Sequence, residues 1–372
     1  MKLAVISHTP HYIEDGICKA WGPTVREINH LPELFDEIYH IAPLNKENAP
    51  GSSLSYSSDK IKFIPIKPYG GEKFYDKISI LTTAISNLQT INEVIKKTDW
   101  VQFRAPTAMG LYVLPYLSLK RKPNRWVKYA GNWQMEDPPL SYRFQKWWLE
   151  NNFQNSFVTI NGHWKGQKDH ILNFQNPCLD DEELIRAKET ALRKDFSKKL
   201  IFGFAGSLTK NKGVDIILEA FKKVKFKEEI GEMIFAGDSP ERKKYEADAS
   251  VIDIKFRFEG SLNRKEMEKF YEEIDLILLP SESEGFPKVI AEAAAYGCVP
   301  IVSDVSSIGQ YFNDSNGFLL KEINADELAN KIEYAIKDRA MLKSMSLECL
   351  KVAELFTFKK YLNDLDTKIL NG

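Results

Sequence analysis

Two glutamates around a predicted helix start are the residues best suited to chemistry in this sequence. Glu284 lies in a turn after the short run 275–279, which is apolar from Leu276 onward, and Glu292 lies in the helix that follows, which opens near Pro287. The apolar run is typical of a buried parallel strand, and Gly285 permits a tight turn after it. Because helix-start N–H groups attract anions and carboxylates accept hydrogen bonds from hydroxyls, the segment predicts a site for an anion and a sugar together. For an isolated pair of glutamates, solvated residues of a loop and a helix are the alternative.

A second strand–loop–helix segment carries the residue types that hold phosphate. The apolar residues 200–205 run into a loop that contains Gly206, Lys210 and Lys212. Apolar residues then recur at helical spacing, so a helix with one inward face follows. A glycine-bearing loop with lysines before a helix is a layout that binds phosphate. A solvated basic turn is the alternative for the two lysines.

These two segments resemble the donor-binding motifs of the retaining glycosyltransferases of family 4. Glu284, Gly285, Phe286 and Glu292 match the family pattern position for position, and Pro287 is a variant of the usual glycine. The resemblance implies that the first glutamate contacts the donor sugar and the second binds the ribose hydroxyls of a nucleotide. It also implies an α/β protein of the GT-B fold, with two facing Rossmann-like domains that have parallel sheets.

Ser207 departs from the family pattern, which usually has an arginine at this position. Arginine would neutralise the donor pyrophosphate with a fork of N–H donors that serine lacks. Lys212 and Gly213 match the later part of the motif, and Lys210 is the candidate replacement for the arginine. The departure keeps open a non-catalytic protein that binds sugar nucleotides or acts as a scaffold.

The resemblance implies a particular set of site residues and no bound cofactor, with the nucleotide-diphosphate sugar as co-substrate. No metal is expected, because the cleft loops show no DXD-type metal motif. Lys212 and Glu284 are the expected catalytic residues, because Lys212 and helix N–H groups would stabilise the departing diphosphate. The expected donor-binding residues are Gly206, Ser207, Lys210, Ser261, Leu262, Gly285, Phe286, Pro287, Lys288, Val289 and Glu292.

Three residues that follow predicted strands of the N-terminal half are candidates for the acceptor side. His8 ends the first strand, and a hydrogen-bonded loop histidine is its alternative role. Arg104 suits a charged acceptor group, and a structural salt bridge is equally compatible with its position. Asn132 stands where the family often has a histidine, and it donates hydrogen bonds without serving as an acid or base.

The chain of 372 residues is long enough for two domains. Predicted strands alternate with helices in both halves, which is typical of parallel α/β sheets. We expect a Rossmann-like acceptor domain over residues 1–180 and a nucleotide-sugar donor domain over residues 195–354. By resemblance to the GT-B fold, the C-terminal helix at 355–372 completes the first domain.

Charge and motifs argue against several other classes of protein. Lysine and arginine total 51 and aspartate and glutamate 52, so a dedicated nucleic-acid-binding protein is disfavoured. No G-x-G-x-x-G follows the first strand, so a nicotinamide-dependent oxidoreductase is the least favoured of the alternative functions. A nucleotide-sugar epimerase on the same fold remains an alternative. The four cysteines and six histidines form no metal-binding spacing.

The expected location is the cytoplasm, since the sequence shows neither a secretory signal nor an apolar run of membrane-spanning length. Peripheral contact with the inner face of a membrane remains open. The apolar residues 111–117 precede the basic residues 120–122 and Arg125, and residues 146–149 add a lysine and two tryptophans. Basic residues beside aromatic ones dock on anionic lipid, and a buried helix with a solvated turn is the alternative.

Overall fold

The computed structural model describes residues 1–71, 74–120 and 122–372. The chain divides into two compact units. Unit 1 contains Met1–Gln175 and Lys360–Gly372, and unit 2 contains Asn176–Lys359. Each unit is an α/β body with its own apolar core. In the part of the chain that is described, no helix combines the length and apolar character needed to cross a membrane.

Unit 1 alternates strands with helices along most of its length. A 3₁₀ helix, Leu31–Glu33, follows the first α-helix. In chain order the elements are β1 (Lys2–Ile6), β2 (His11–Glu14), β3 (Ile17–Trp21), α1 (Gly22–His30), β4 (Glu37–Pro43), β5 (Ser53–Ser55), β6 (Ile61–Ile66), α2 (Phe74–Thr82), α3 (Ala84–Ile95), β7 (Trp100–Ala105), α4 (Gly110–Ser118), β8 (Asn124–Tyr129), α5 (Leu140–Glu150), β9 (Phe157–Ile160) and β10 (Ile171–Asn173).

The main sheet of unit 1 is parallel and has the strand order β10-β9-β8-β7-β1-β4-β6. From β1 the chain builds outward through β4 and β6, and it then returns to β7 on the other side. The loops after β1 and β7 therefore diverge at a topological switch point, where open α/β sheets bind ligands. Strands β2, β3 and β5 form a separate antiparallel sheet that the sequence pattern did not predict. The sequence pattern of residues 78–95 predicts one helix, but the structure divides this stretch between two helices, α2 and α3.

Unit 2 also alternates strands and helices, and it begins with a helix whose capping residues can be recognised in the sequence. Asp180 and Glu183 form a capping box at the start of that helix. The elements are α6 (Asp181–Arg193), β11 (Leu200–Ala205), α7 (Val214–Lys223), β12 (Ile230–Ala236), α8 (Arg242–Ser250), β13 (Phe256–Gly260), α9 (Arg264–Glu273), β14 (Leu276–Leu279), α10 (Lys288–Ala295), β15 (Val299–Ser303), β16 (Phe318–Leu320), α11 (Ala325–Lys337) and α12 (Arg339–Glu354).

The sheet of unit 2 is parallel and has the order β13-β12-β11-β14-β15-β16. This is the doubly wound order of dinucleotide-binding folds, and the switch point falls between β11 and β14. Apolar residues alternate with polar ones from Ile252 to Phe258, a pattern that predicts a strand starting at Ile252 and therefore a longer β13. It begins at Phe256 instead, because Ile254 N–H donates to the Ile252 carbonyl at 2.8 Å and closes a turn.

The last helix, α13 (Phe358–Leu365), and the π-helical turn Asp366–Leu370 follow a break after α12. From Lys360 onward these residues belong to unit 1. The apolar side chains of this segment are buried in unit 1 against Leu3 and Val5 of β1. The C-terminal segment therefore packs against one face of the unit 1 sheet.

Candidate functional site

The loops after β11 and β14 bring a lysine and a glutamate together at the switch point of the unit 2 sheet. Lys212 Nζ lies 2.5 Å from Glu284 Oε1, although 72 residues separate the two in the chain. The Glu284 side chain is 9% exposed and that of Lys212 is 32% exposed. The Glu282 N–H donates to the Asn211 carbonyl at 3.0 Å, so the two loops are also joined through the backbone. The two residues that we expect to be catalytic thus share one small surface.

Glycines allow these loops to pack closely at the edge of the sheet. Gly206 and Gly237 have φ values of 151° and 145°, and a Cβ on Gly237 would collide with the Gly206 carbonyl oxygen. Gly213 has φ 78°, and a Cβ there would collide with the Pro280 backbone. Side chains would therefore separate the loops that hold Lys212 and Glu284.

Ser207 and Lys210 both lie on the exposed side of the loop after β11. Lys210 begins a single 3₁₀ turn, Lys210–Lys212, which leads into α7. Leu208 N–H donates to the Asp238 carbonyl at 3.3 Å, which ties the loop to the end of β12. Lys210 and Lys212 therefore stand two residues apart on an ordered turn with positive charge.

The segment that includes Gly285, Pro287, Lys288 and Val289 forms the start of helix α10. Pro287 was expected at the first helical position, and it directly precedes the helix, which begins at Lys288. Among the described residues no side chain caps this helix start, so its first-turn N–H groups suit an anion. The Gly285 carbonyl accepts from the Ser306 hydroxyl at 2.9 Å, which holds the turn in place.

Phe286 contributes to the site through its packing. Its side chain is buried, and its ring stacks on Phe356 with centroids 4.3 Å apart and an angle of 13°. Tyr311 lies against the same ring at 5.1 Å. The side chain of Phe286 therefore anchors the loop between Glu284 and α10 in the core, and only its backbone is available to a donor.

Glu292 is held by two side chains from helix α9. Arg264 Nη1 lies 2.8 Å from Glu292 Oε1, and the Tyr271 hydroxyl donates to Oε2 at 2.9 Å. Arg264 also donates to both oxygens of Glu183, at 2.8 and 3.0 Å. Burial lowers the pKa of Arg264, but the charges of Glu292 and Glu183 outweigh that effect and raise it overall. Burial and the charge of Glu292 raise the pKa of Tyr271 well above its ordinary value.

Arg264 and Tyr271 are functional candidates that the sequence pattern did not reveal. They follow the loop of Ser261 and Leu262, of which Ser261 is exposed and Leu262 half-buried. Asn263 fixes this loop, because its side chain accepts from the Glu266 N–H at 3.1 Å in a capping box. The sequence feature that could have pointed to Arg264 is its position directly after this capping residue, in the first turn of α9.

His8 lies at the carboxyl end of β1, at the switch point of the unit 1 sheet, and it is exposed. Desolvation lowers the pKa of His8, and the positive charge of Arg104 lowers it further. Asn132 is half-buried, and its side-chain oxygen accepts from the Gln134 N–H at 2.9 Å, as in a turn. Both residues occupy loops at the carboxyl edge of this sheet.

Arg104 is a buried member of an ion cluster. Its guanidinium donates to Glu27 at 2.9 and 3.4 Å, and Lys128 Nζ lies 2.6 Å from the same carboxylate. The Tyr361 hydroxyl donates to Glu27 at 3.3 Å. Burial lowers the pKa of Arg104, but Glu27 outweighs this effect and raises it. These contacts match a structural salt bridge, which is the alternative to an acceptor-binding role for Arg104.

A chain of hydrogen bonds beside His8 was also absent from the sequence-based prediction. Ser7 Oγ lies 2.7 Å from His40 Nε2, and the Tyr56 hydroxyl lies 2.5 Å from His40 Nδ1 and 2.6 Å from His11 Nε2. Desolvation lowers the pKa of His11 to about 4 and that of His40 well below its ordinary value. Both imidazoles are therefore neutral at pH 7. Within residues 1–71, 74–120 and 122–372, no group of three or more His, Cys, Asp or Glu is placed to hold a metal ion.

Comparison with known proteins finds similarity in both sequence and fold. Residues 187–348 match the family model described as "Glycosyl transferases group 1". The O-antigen biosynthesis glycosyltransferase WclY of Escherichia coli is 28% identical over 291 residues, which cover 72% of this chain and 78% of WclY. Several further relatives, among them a glycogen synthase of Clostridium beijerinckii at 30% identity, match over less than half of their own length.

Several solved structures align over nearly the whole chain. Sucrose-phosphate synthase from Thermosynechococcus elongatus aligns with a TM-score of 0.74 at 15% identity, covering 99% of this chain and 98% of the other. HepE of Anabaena, solved in complex with UDP, aligns with a TM-score of 0.70 at 15% identity, covering 99% of each chain. At these identities the similarity shows the fold alone, and it confirms the predicted α/β class with parallel sheets.

Proposed function

We propose that this chain, which belongs to the group 1 glycosyltransferases and has the GT-B fold, transfers a sugar from a nucleoside diphosphate sugar to a glycan or lipid-linked acceptor. The observation that carries the proposal is the pairing of Lys212 with Glu284 at the switch point of the unit 2 sheet. A cation and a carboxylate side by side match the two chemical parts of such a donor, its diphosphate and its sugar hydroxyls.

The donor's diphosphate would contact Lys212 and the start of helix α10. Lys212 supplies a full positive charge, and the uncapped helix start adds N–H donors with a partial positive charge. Both would act on the charge that develops as the nucleoside diphosphate departs. The proposed reaction uses these groups in place of a divalent metal, and it retains the configuration of the anomeric carbon.

Glu284 would accept hydrogen bonds from the donor sugar, since its carboxylate is fixed by Lys212 beside the helix start. Glu292 would accept from the ribose hydroxyls of the nucleotide, and Arg264 and Tyr271 orient its carboxylate. A carboxylate held by two partners needs little rearrangement when it binds a third, which favours affinity. Lys210, exposed on the same turn as Lys212, would take the place of the arginine that Ser207 replaces.

The name of WclY and the ligand of HepE support a specific choice of first substrates. WclY is named for O-antigen biosynthesis, and HepE was solved with UDP and with UDP-glucose. We therefore propose a role in polysaccharide assembly and take uridine diphosphate sugars as the first donors to test. Other nucleoside diphosphates belong in the same screen.

The experiment has a binding part and a turnover part. A thermal-shift screen of nucleoside diphosphates and their sugars, with and without EDTA, should give a stabilisation by one nucleotide that EDTA leaves unchanged. With that donor, Lys212→Ala and Glu284→Gln should each lower the rate of sugar release or transfer on the order of a hundredfold. Glu292→Ala should mainly weaken nucleotide binding.

Glu282→Gln is the matched control, because Glu282 is an exposed glutamate in the same loop, two residues from Glu284. It should keep the wild-type rate. Wild-type turnover in Glu284→Gln, or equal losses in Glu282→Gln and Glu284→Gln, would rule out the proposed site. A product formed from the donor without any acceptor, with the sugar epimerised, would favour an epimerase instead.

A further inference from the structure

Unit 1 has a cavity at the edge of its sheet opposite to the carboxyl ends of the strands. Its volume is about 810 Å³, and it lies at the first residues of β7, β8 and β9, which are Trp100, Asn124 and Phe157. Ile369 and Leu370 of the C-terminal segment form another part of its wall. The candidate acceptor residues lie at the other edge of the sheet, so this cavity is separate from the site described above.

Two cationic residues line the cavity, and its wall also includes Gly372, the last residue of the sequence. Lys120 and Arg125 both line it, and no aspartate or glutamate among the described residues does so. Arg125 donates through Nη2 to the Lys120 carbonyl, whereas its Nη1 atom is buried and has no hydrogen-bond partner in the described part of the chain. Burial also lowers the pKa of Arg125, with no carboxylate to oppose the effect. A buried N–H donor without a partner, on a cation that lines a polar cavity, suits an anionic oxygen.

Exposed apolar side chains border this cavity. Leu119 stands between the wall residues Ser118 and Lys120 and is 84% exposed. Phe153 stands between the wall residues Asn152 and Gln154 and is 47% exposed. Exposed apolar side chains that cluster beside a cavity with cationic residues are typical of an interaction surface.

Helix α5 extends the apolar margin with aromatic side chains. Trp147 is 51% exposed, and its ring lies 5.1 Å from that of Phe153. Trp148 lies 5.3 Å from Phe153, and its indole N–H donates to Ser118 Oγ at 3.2 Å, which ties α5 to the cavity wall. Leu140, seven residues before Trp147 on the same helix face, is 79% exposed. Tryptophan beside lysine and leucine is the composition of protein surfaces that sit at the level of lipid headgroups.

We propose that this surface of unit 1, formed by Leu119, Lys120, Arg125, Trp147 and Phe153, docks on an anionic membrane, with a lipid headgroup phosphate in the cavity. The cations would bind the phosphate, and Leu119, Trp147 and Phe153 would enter the interface between headgroups and acyl chains. Electrostatic attraction and shallow apolar insertion act together in such binding, so neutral lipid alone should hold the protein poorly.

Flotation with lipid vesicles tests the docking surface directly. The full chain should float with vesicles of phosphatidylcholine and phosphatidylglycerol and stay behind with phosphatidylcholine alone, and high salt should weaken the binding. Leu119→Asp and Lys120→Glu should each reduce binding to the anionic vesicles about fivefold or more, because each removes a contact and adds a repelled charge.

Matched controls exist in unit 2. Val251→Asp changes an apolar residue with 79% exposure, and Lys198→Glu changes a lysine whose side chain is 81% exposed. Both should bind the vesicles as the wild type does. Since Leu119 is exposed, Leu119→Asp should also keep the wild-type melting temperature, so that lost flotation cannot arise from unfolding.

Three results would overturn the proposal. The first is that the wild-type chain fails to float with anionic vesicles. The second is that Leu119→Asp and Lys120→Glu float as well as the wild type. The third is that ultracentrifugation shows a dimer formed through this surface, which Leu119→Asp dissociates. Flotation requires neither donor nor turnover, so this test is independent of the transferase reaction. The donor-dependent thermal shift of Leu119→Asp should stay unchanged whatever the flotation result.

Discussion

The guanidinium of Arg264 connects Glu292 with Glu183, lying 2.8 Å from a carboxylate oxygen of each. Glu183 belongs to the first turn of α6 and Glu292 to α10, so one side chain of α9 joins three helices of unit 2. The proposed ribose-binding carboxylate is therefore part of a structural network. Its orientation depends on residues that need not touch the nucleotide.

Arg264→Ala should destabilise unit 2 strongly, because it removes a cation that bridges two largely buried carboxylates. Removal of one partner of a buried ion pair typically costs about 3–5 kcal/mol. Because the Arg264 side chain is 24% exposed, we expect about 3 kcal/mol in the free energy of unfolding, measured by urea denaturation. Nucleotide affinity, measured by calorimetry on the folded variant, should fall as well.

Arg186→Ala is the control for this prediction. Arg186 also bridges two glutamates, Glu182 at 4.0 Å and Glu268 at 3.6 Å, but its side chain is 54% exposed. Its loss should cost less than about 1 kcal/mol, as for surface ion pairs. Equal costs for the two arginines would show that burial of the Arg264 network contributes nothing.

The role proposed for Lys210 predicts a compensation between two positions. Lys210→Ala should weaken binding of the donor nucleotide about tenfold, since one hydrogen bond to a charged group is lost. Adding Ser207→Arg to that variant should restore most of the affinity, because a guanidinium there reaches the diphosphate with two parallel donors. Isothermal titration of the nucleotide measures both steps.

The exposed Lys222, which pairs with Glu219 at 2.6 Å on helix α7, provides the control for charge alone. Lys222→Ala should leave nucleotide affinity unchanged. If Ser207→Arg fails to restore binding to Lys210→Ala, Lys210 does not replace the missing arginine.

The close packing of the loops at the switch-point edge gives a prediction about backbone stability. Gly237→Ala should destabilise the fold by about 2 kcal/mol or more, because φ is 145° and the new Cβ would meet the Gly206 carbonyl oxygen. Gly51→Ala is the matched control, since nothing lies within 4 Å of a Cβ there. Thermal unfolding of the two variants should differ clearly; similar melting temperatures would show that the loops can separate at little cost.

The sequence predicted those parts of the site that lie within one continuous segment. The strand before Glu284, the turn at Gly285 and the helix with Glu292 are local patterns, and the structure shows each of them. Strand alternation also predicted both parallel sheets, because buried parallel strands are nearly continuous apolar runs.

What the sequence could not show is which residues meet across long separations. Arg104 and Glu27 are 77 residues apart, so nothing local distinguishes their ion pair from an acceptor-binding arginine. Arg264 and Glu292 meet only because α9 and α10 flank the same strand. The ring of Phe286 likewise depends on Phe356, which lies far along the chain. The spacing of a motif therefore predicts the loop on which a residue lies, whereas the contacts of its side chain depend on how distant segments fold together.

The buried histidine chain of unit 1 predicts a loss of stability in mild acid. His11 is fully buried, stacked on Phe63 with centroids 4.1 Å apart, and its pKa is lowered to about 4. The unfolded chain binds a proton near pH 6.5, whereas the folded chain does so only near pH 4. Stability is therefore complete above about pH 6.5 and falls as the pH drops toward 4, by on the order of 3 kcal/mol for His11 alone. His40 acts in the same direction. Urea denaturation between pH 7 and pH 5 measures how the free energy of unfolding changes with pH. This dependence should be weaker in His11→Asn and unchanged in a variant of the exposed His163. If the dependence is equal in the wild type and both variants, the titrating groups lie elsewhere.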